Sequence, residues 1–281
     1  MISFPIAYQL YSARDEAQRD LVGTLRQIAE MGYDGIELAG LYGHDAAEVK
    51  SLLDSLGLRA ISSHVPLADI RRDMFKVISE HLRLGCEYIA VPYLDEQTRP
   101  GAEGFAGALN TIYKFGFLCR EAGLQLLYHN HDFEFVNLSG MYGFDFLYEA
   151  VPEDLLKLEP DVCWINYAGE NPAQYIRKYS WRCPVIHLKD YVGVKGDASP
   201  YALIGIDEGE KKKDAQFEFK PIGYGIVDIA AVLEASVEAG AHWIVVEQDE
   251  SVGATPLEAA KLSINALKEK YGVKSIEEGL Q

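Results

Sequence analysis

Short apolar runs alternate with longer amphipathic stretches along the whole chain. The runs Ile2–Leu10, Gly35–Ala39, Leu58–His64 and Glu87–Val91 read as strands, as do Leu124–Asn130, Leu155–Pro160, Val185–Asp190 and Trp243–Glu247. Between them apolar residues recur every three or four positions, as at Leu21, Leu25, Ile28 and Ala29, the spacing of one buried helix face. This predicts helices over Arg14–Met31, Ala46–Leu56, Met74–Leu84 and Phe105–Ala122, then Phe144–Ala150, Ala173–Tyr179, Ile229–Ala239 and Leu257–Lys270. Gly32, Gly57, Gly85, Gly123 and Gly240 each stand between a helical pattern and the next strand or its approach. A glycine there can take the left-handed conformation that stops a helix. The repetition argues for βα units and a parallel sheet.

Eight strands and eight helices are the count of a (β/α)8 TIM barrel. The competing architecture is a doubly wound open sheet. Against it, the first strand leads into Gln9-Leu10-Tyr11-Ser12-Ala13 rather than G-x-G-x-x-G, and polar residues end many strands instead of gathering at one switch point. No linker or low-complexity tract divides the chain, so residues 1–281 are expected to form a single domain. The irregular interval is about 191–224, with the charge run Asp207-Glu208-Gly209-Glu210-Lys211-Lys212-Lys213-Asp214. It reads as a solvated loop, or as a lid or dimer contact after the seventh strand.

Composition narrows the function classes. The 26 Lys+Arg against 43 Asp+Glu give a net charge of −17, a surface that repels nucleic-acid phosphates and leaves a small molecule in a pocket as the expected partner. Cys86, Cys119, Cys163 and Cys183 form no C-x-x-C pair and read as free thiols, not a disulfide scaffold. Met1-Ile2-Ser3-Phe4-Pro5 lacks a basic segment followed by an apolar one, and no apolar run reaches the roughly 18 residues of a membrane span. The expected location is the cytoplasm.

The strand tips carry the chemistry. Leu124–Leu127 runs into Tyr128-His129-Asn130-His131-Asp132-Phe133-Glu134-Phe135, and later runs end in Glu159-Pro160-Asp161, His187-Leu188-Lys189-Asp190 and Glu247. Polar groups at the ends of buried strands are costly unless they are paired or hold a cation. Glu247 follows Trp243-Ile244-Val245-Val246, so its carboxylate needs a cation or strong donors to stay ionised. Asp161 reads either as a helix cap or as a ligand. Period-two alternation sends His187 and Lys189 to one side; a hydrogen-bonded core histidine is the plain alternative for His187. Carboxylate oxygens mixed with imidazole suit Mn²⁺, Co²⁺ or Zn²⁺, and Mg²⁺ less well.

The segments Tyr128–Phe135, Pro160–Pro172, Val185–Tyr191 and Pro221–Asp228, in this order, resemble the sugar phosphate isomerase/epimerase proteins of the xylose isomerase-like TIM-barrel superfamily. The likeness runs from Tyr8–Ser12 through Tyr33–Leu38 and Ser62–His64 to Val246-Glu247. It implies one divalent ion, Mn²⁺ first, held by Asp161, His187 and Glu247. Relatives carry a Glu at the fifth strand tip where this chain has His129, so the resemblance implies His129 as the fourth ligand, with two alternatives: Glu134 in its place, or three protein ligands with His129 binding substrate only. Trp164 stands where epimerases of the superfamily often have a histidine; an indole carries no proton in catalysis but can form an apolar wall against a sugar face. The implied mechanism is proton abstraction next to a carbonyl through a metal-stabilised enediolate. Glu247 is the base, Lys189 a donor to a substrate oxygen, and His131 a second acid or base. His64, Trp164, Glu134 and Gln9 are substrate-binding candidates, and Glu37 a weaker one.

The resemblance thus implies a cytoplasmic, metal-dependent isomerase or epimerase of a sugar, keto-sugar or cyclitol, and by analogy a homo-oligomer. The alternative is a lyase on the same chemistry: a keto-inositol dehydratase or a 3-keto-glycoside-cleaving enzyme. Two remoter alternatives are a non-catalytic sugar-binding protein and an abasic-site endonuclease of the same superfamily.

Overall fold

The computed structural model describes residues 2–195, 201 and 217–274. Its principal strands are β1 (Ile6–Gln9), β2 (Gly35–Leu38), β3 (Arg59–Ser63), β4 (Tyr88–Val91), β5 (Gln125–His129), β6 (Lys157–Glu159), β7 (Val185–Leu188) and β8 (Trp243–Val246). Parallel ladders join β3-β2-β1-β8-β7 and β4-β5-β6. Single parallel bridges, His64 with Ala90 and Asp161 with His187, connect the two groups at both seams. The strands thus follow one another around an α/β barrel with helices between them.

The predicted helices are present, with changes of boundary. Arg14–Met31 is two helices, Arg14–Arg19 and Leu21–Glu30, because Asp20 leaves helical geometry and accepts from the Gly23 N–H as a cap. Leu257–Lys270 is α-helical over Pro256–Asn265 and then widens into a π-turn. Leu67–Arg72 and Val162–Tyr167 are further helices of six residues each, too short to show a periodic face. The five glycines singled out as helix stops all have φ between 72° and 86°. Part of the irregular interval is ordered: Asp190–Val192 pairs antiparallel with Glu218–Lys220. The charge run 207–214 lies outside the described residues. No helix among the described residues is long and apolar enough to cross a membrane.

The barrel interior is layered, and the layering positions the site. Ala7, Ile61, Tyr88, Ala90, Leu127, Val185, Trp243 and Val245 form a separate buried apolar cluster. Period-two alternation carries the same inward face two residues further along each strand. Ala7 is followed in this way by Gln9, Leu127 by His129, Val185 by His187 and Val245 by Glu247. A register shift in β3 opposite Ile36/Glu37 changes the phase there. His64, not Ser63, consequently reaches Glu37 and Glu159.

Candidate metal and acid–base site

The upper interior layer holds a group of buried ionisable side chains. His129, Asp161, His187 and Glu247 each offer one ligand-type atom, and these atoms lie within 4.8 Å of one another. His187 Nδ1 is 3.0 Å from Glu247 Oε2; His129 Nε2 is 3.7 Å from Asp161 Oδ2 and 4.0 Å from Glu247 Oε2. A deeper group, His64, His129, Glu159 and His187, has the same closeness and shares both central histidines. Glu37 joins it, with Oε2 2.6 Å from His187 Nε2, 3.2 Å from His64 Nε2 and accepting from Gln9 Nε2 at 2.7 Å.

Lys189 is 1% exposed, and its ammonium lies 2.8 Å from Glu247 Oε2, 2.8 Å from Asp249 Oδ2 and 3.1 Å from Asp161 Oδ2. Burial alone would lower its pKa, but the three carboxylates raise it well above the ordinary lysine value. The same pairing acts in reverse on Glu247. Burial opposes its ionisation, yet Lys189 and the hydrogen-bonded His187 hold it well below the usual range. Glu37 follows the same logic at about 2, with burial outweighed by His64 and His187. Burial and neighbouring Glu37 push Glu159 the other way, to about 8. Burial keeps His129 and His131 well below the ordinary imidazole value, so both rings are neutral.

A cavity of about 740 Å³ opens over this layer, and His64, His129, His131, Lys189, Glu247 and Asp249 line its inner end. Asp161 caps the helix Val162–Tyr167 by accepting from the Trp164 N–H with Oδ1, while Oδ2 is ion-paired with Lys189 at 3.1 Å. The Asp therefore caps the helix with one oxygen and turns the other toward Lys189 and His129. Its own N–H donates to Asn130 Oδ1 at 2.9 Å, which ties the tips of β5 and β6 together.

Three expected site residues are placed differently. Glu134 is fully buried, but its oxygens accept from the Tyr128 hydroxyl at 2.6 Å and the His131 N–H at 2.8 Å, outside the four-residue group. It shapes the β5 tip from behind, and at that tip it is His129 that joins the four-residue group. Trp164 is 0% exposed and stacks behind His131 with ring centroids 5.2 Å apart, so the wall it forms supports His131 and does not face the cavity. Gln9 is likewise 0% exposed; it holds Glu37 and does not line the cavity.

A family model described as xylose isomerase-like TIM barrel matches residues 25–270. The chain belongs to the xylose isomerase-like TIM barrel family. Among curated relatives of this family member, an inosose dehydratase from Clostridium beijerinckii is 27% identical over 278 residues, covering 88% of each chain. A sugar phosphate isomerase/epimerase from Parabacteroides distasonis has a similar structure, with a TM-score of 0.74 at 19% identity, covering 96% of this chain and 97% of that one. The IolI protein, solved with a binding zinc atom, has a TM-score of 0.69 at 15% identity, with coverage of 95% and 97%. At such identities the two structural likenesses speak for the fold alone. Both the family and its curated relatives are enzymatic.

In this xylose isomerase-like barrel, Glu37 is more central than its position in the sequence implies, and Glu159 and Asp249 join the site although neither stands among the candidate residues above. Glu159 stands in a strand tip already marked as polar, two residues before Asp161. Asp249 lies two residues beyond Glu247, a spacing that points both toward Lys189.

Proposed function

We propose that this chain is a divalent-metal-dependent enzyme that removes a proton next to a carbonyl in a sugar, keto-sugar or cyclitol, acting as an isomerase or epimerase. The observation that carries this reading is the buried His129–Asp161–His187–Glu247 group beside Lys189 at the closed end of a large cavity. The residues fit an ion. Two imidazoles and two carboxylates form a mixed donor set suited to Mn²⁺ first, and to Co²⁺, Zn²⁺ or Mg²⁺. Asp161 Oδ2 is a buried oxygen that meets the Lys189 ammonium at 3.1 Å and His129 Nε2 at 3.7 Å. The four side chains would hold the ion with one donor atom each, and these atoms lie within 4.8 Å of one another.

When bound, the ion supplies a Lewis acid that stabilises negative charge developing on a substrate oxygen. Glu247 is the base: Lys189 and His187 keep it ionised, and it lines the cavity. Lys189 donates to the oxygen on which charge develops. Neutral His131, stacked against Trp164, either moves a second proton or binds a hydroxyl. His64 lines the cavity with Nε2 held by Glu159 at 2.9 Å, and orients the sugar.

Elimination is the second reading, favoured by the inosose dehydratase relative and by Trp164, which leaves the helix after β6 without a proton-carrying imidazole. The metal-loaded protein should exchange the substrate α-proton for deuterium from D₂O in either case. Enone absorbance or loss of water marks elimination, whereas conserved mass with a new sugar marks isomerisation. Absence of both exchange and product with inosose, 3-keto-glucoside and free ketoses would sink the reading.

A further inference from the structure

The cavity is far larger than the reacting ring. It holds about 740 Å³, whereas roughly 150 Å³ accommodates a six-membered ring. Beyond the inner end it runs along the helices Leu67–Arg72 and Met74–Leu84. Leu41, Val65, Leu67 and Val77 give this outer lobe apolar walls. Its charged rim is mixed: Asp69, Asp73, Glu80 and Asp95 stand with Arg72 and Lys76, and Arg72 is already 2.7 Å from Asp69. A phosphate would meet four acidic groups against two basic ones. An uncharged apolar group would meet walls that gain from leaving water.

We propose that the substrate has two parts, a keto-sugar or keto-cyclitol ring at the inner end and an uncharged, largely apolar, ring-sized group joined to it and filling the outer lobe. This rests on the proton-abstraction reading for the inner end alone. The lobe then selects a glycoside over the free ring, and its contribution is made in binding, before any bond breaks.

Calorimetry on the metal-loaded protein, with free 3-keto-glucose and its p-nitrophenyl glycoside as probes, tests the two-part ligand. The glycoside should bind at least about tenfold tighter. Ala68→Trp, at an exposed cavity-lining position, should remove that advantage and leave affinity for the free sugar within about twofold. Lys76→Trp, also exposed and lining the lobe, provides a second filling variant should the first lose its fold. Equal affinities, an advantage that survives both substitutions, or no binding of either probe would overturn the proposal. Deuterium exchange in the same samples keeps the two readings apart. Glycoside preference without exchange supports the two-part ligand and sinks the proton chemistry; exchange without preference does the reverse.

Discussion

His187 faces two carboxylates at once, with Nδ1 3.0 Å from Glu247 Oε2 and Nε2 2.6 Å from Glu37 Oε2. His129 repeats the arrangement, with Nε2 toward Asp161 and Nδ1 3.5 Å from Glu159 Oε2. Each ring thus turns one nitrogen to the proposed ion site and the other to the barrel interior. A ligating imidazole is normally oriented by a carboxylate at its far nitrogen, and Glu37 and Glu159 stand in that place. Glu37→Ala is expected to weaken ion binding about 10–100-fold. Glu37→Gln should weaken it less, because an amide oxygen still accepts from the ring N–H. Chelator-competition titration reads both without any substrate, and full affinity in Glu37→Ala would exclude this role.

Glu247 is asked to do more than hold an ion. At saturating metal, Glu247→Gln should lower kcat by about 10²–10⁴, the range attributed to a positioned base, and slow α-proton exchange equally. KM should change far less. A variant that exchanges at the native rate would move the base elsewhere, with His131 next in line. A purely sugar-binding protein would instead keep its ligand affinity and show no turnover to lose.

Lys189 bridges Asp161, Glu247 and Asp249 with a single ammonium. Lys189→Met keeps much of the volume and leaves the three carboxylates without that countercharge. Breaking a buried pair in this way costs about 3–5 kcal/mol. The thermal midpoint of metal-free protein should drop accordingly, and Mn²⁺ should raise it more in the variant than in the native chain, since the ion restores positive charge. Equal metal-induced shifts would show that the ion binds too far away to compensate.

Burial raises the Glu134 carboxyl to about 8, although Tyr128 and the His131 N–H favour its ionised form. A carboxyl raised on folding binds its proton more tightly in the native state. Stability is therefore fullest below the unfolded value near 4.5 and declines as pH rises toward about 8. Linkage across that window is on the order of 5 kcal/mol. Glu134→Gln removes the titration and can still accept from the His131 N–H. Urea unfolding should find the two proteins alike at acid pH and the Gln variant more stable in mild alkali; parallel pH profiles would exclude the effect.

Much of this architecture is legible in the residue pattern, because an apolar run followed by a glycine-stopped amphipathic stretch has few other solutions. The strand tips gave Asp161, His187, Glu247 and His129 for the same reason: costly groups at the end of a buried run stand out. Depth was not legible. Period-two alternation shows that Gln9 and His129 face inward, but not that Gln9 is sealed beneath Glu37 while His129 reaches the cavity. Trp164 poses the same problem, since an aromatic beside a site can line it or stand behind it. Glu159 was masked by its neighbour Asp161, and the β3 bulge that turns His64 inward has no sequence signature at Ala60-Ile61-Ser62.

The segment Pro221–Asp228 owes its two glycines to Asp190. That carboxylate accepts from the backbone N–H groups of Tyr191, Gly223, Gly225 and Val227 at 2.9–3.1 Å, and so fastens the segment to the end of β7 beside Lys189. Gly223 has φ 84°, and a Cβ on Gly225 would stand 2.1 Å from Asp190 Oδ1 and 2.4 Å from the Tyr191 carbonyl oxygen. Gly225→Ala must therefore push the segment off the carboxylate, and should cost about 2–4 kcal/mol by stranding buried donors. Asp190→Ala removes the acceptor outright and should cost at least as much. If the four N–H groups act as one clamp, Gly225→Ala adds little to Asp190→Ala in a double-mutant cycle. Full additivity of the two losses, measured by urea unfolding, would show that the glycine is needed for some other contact.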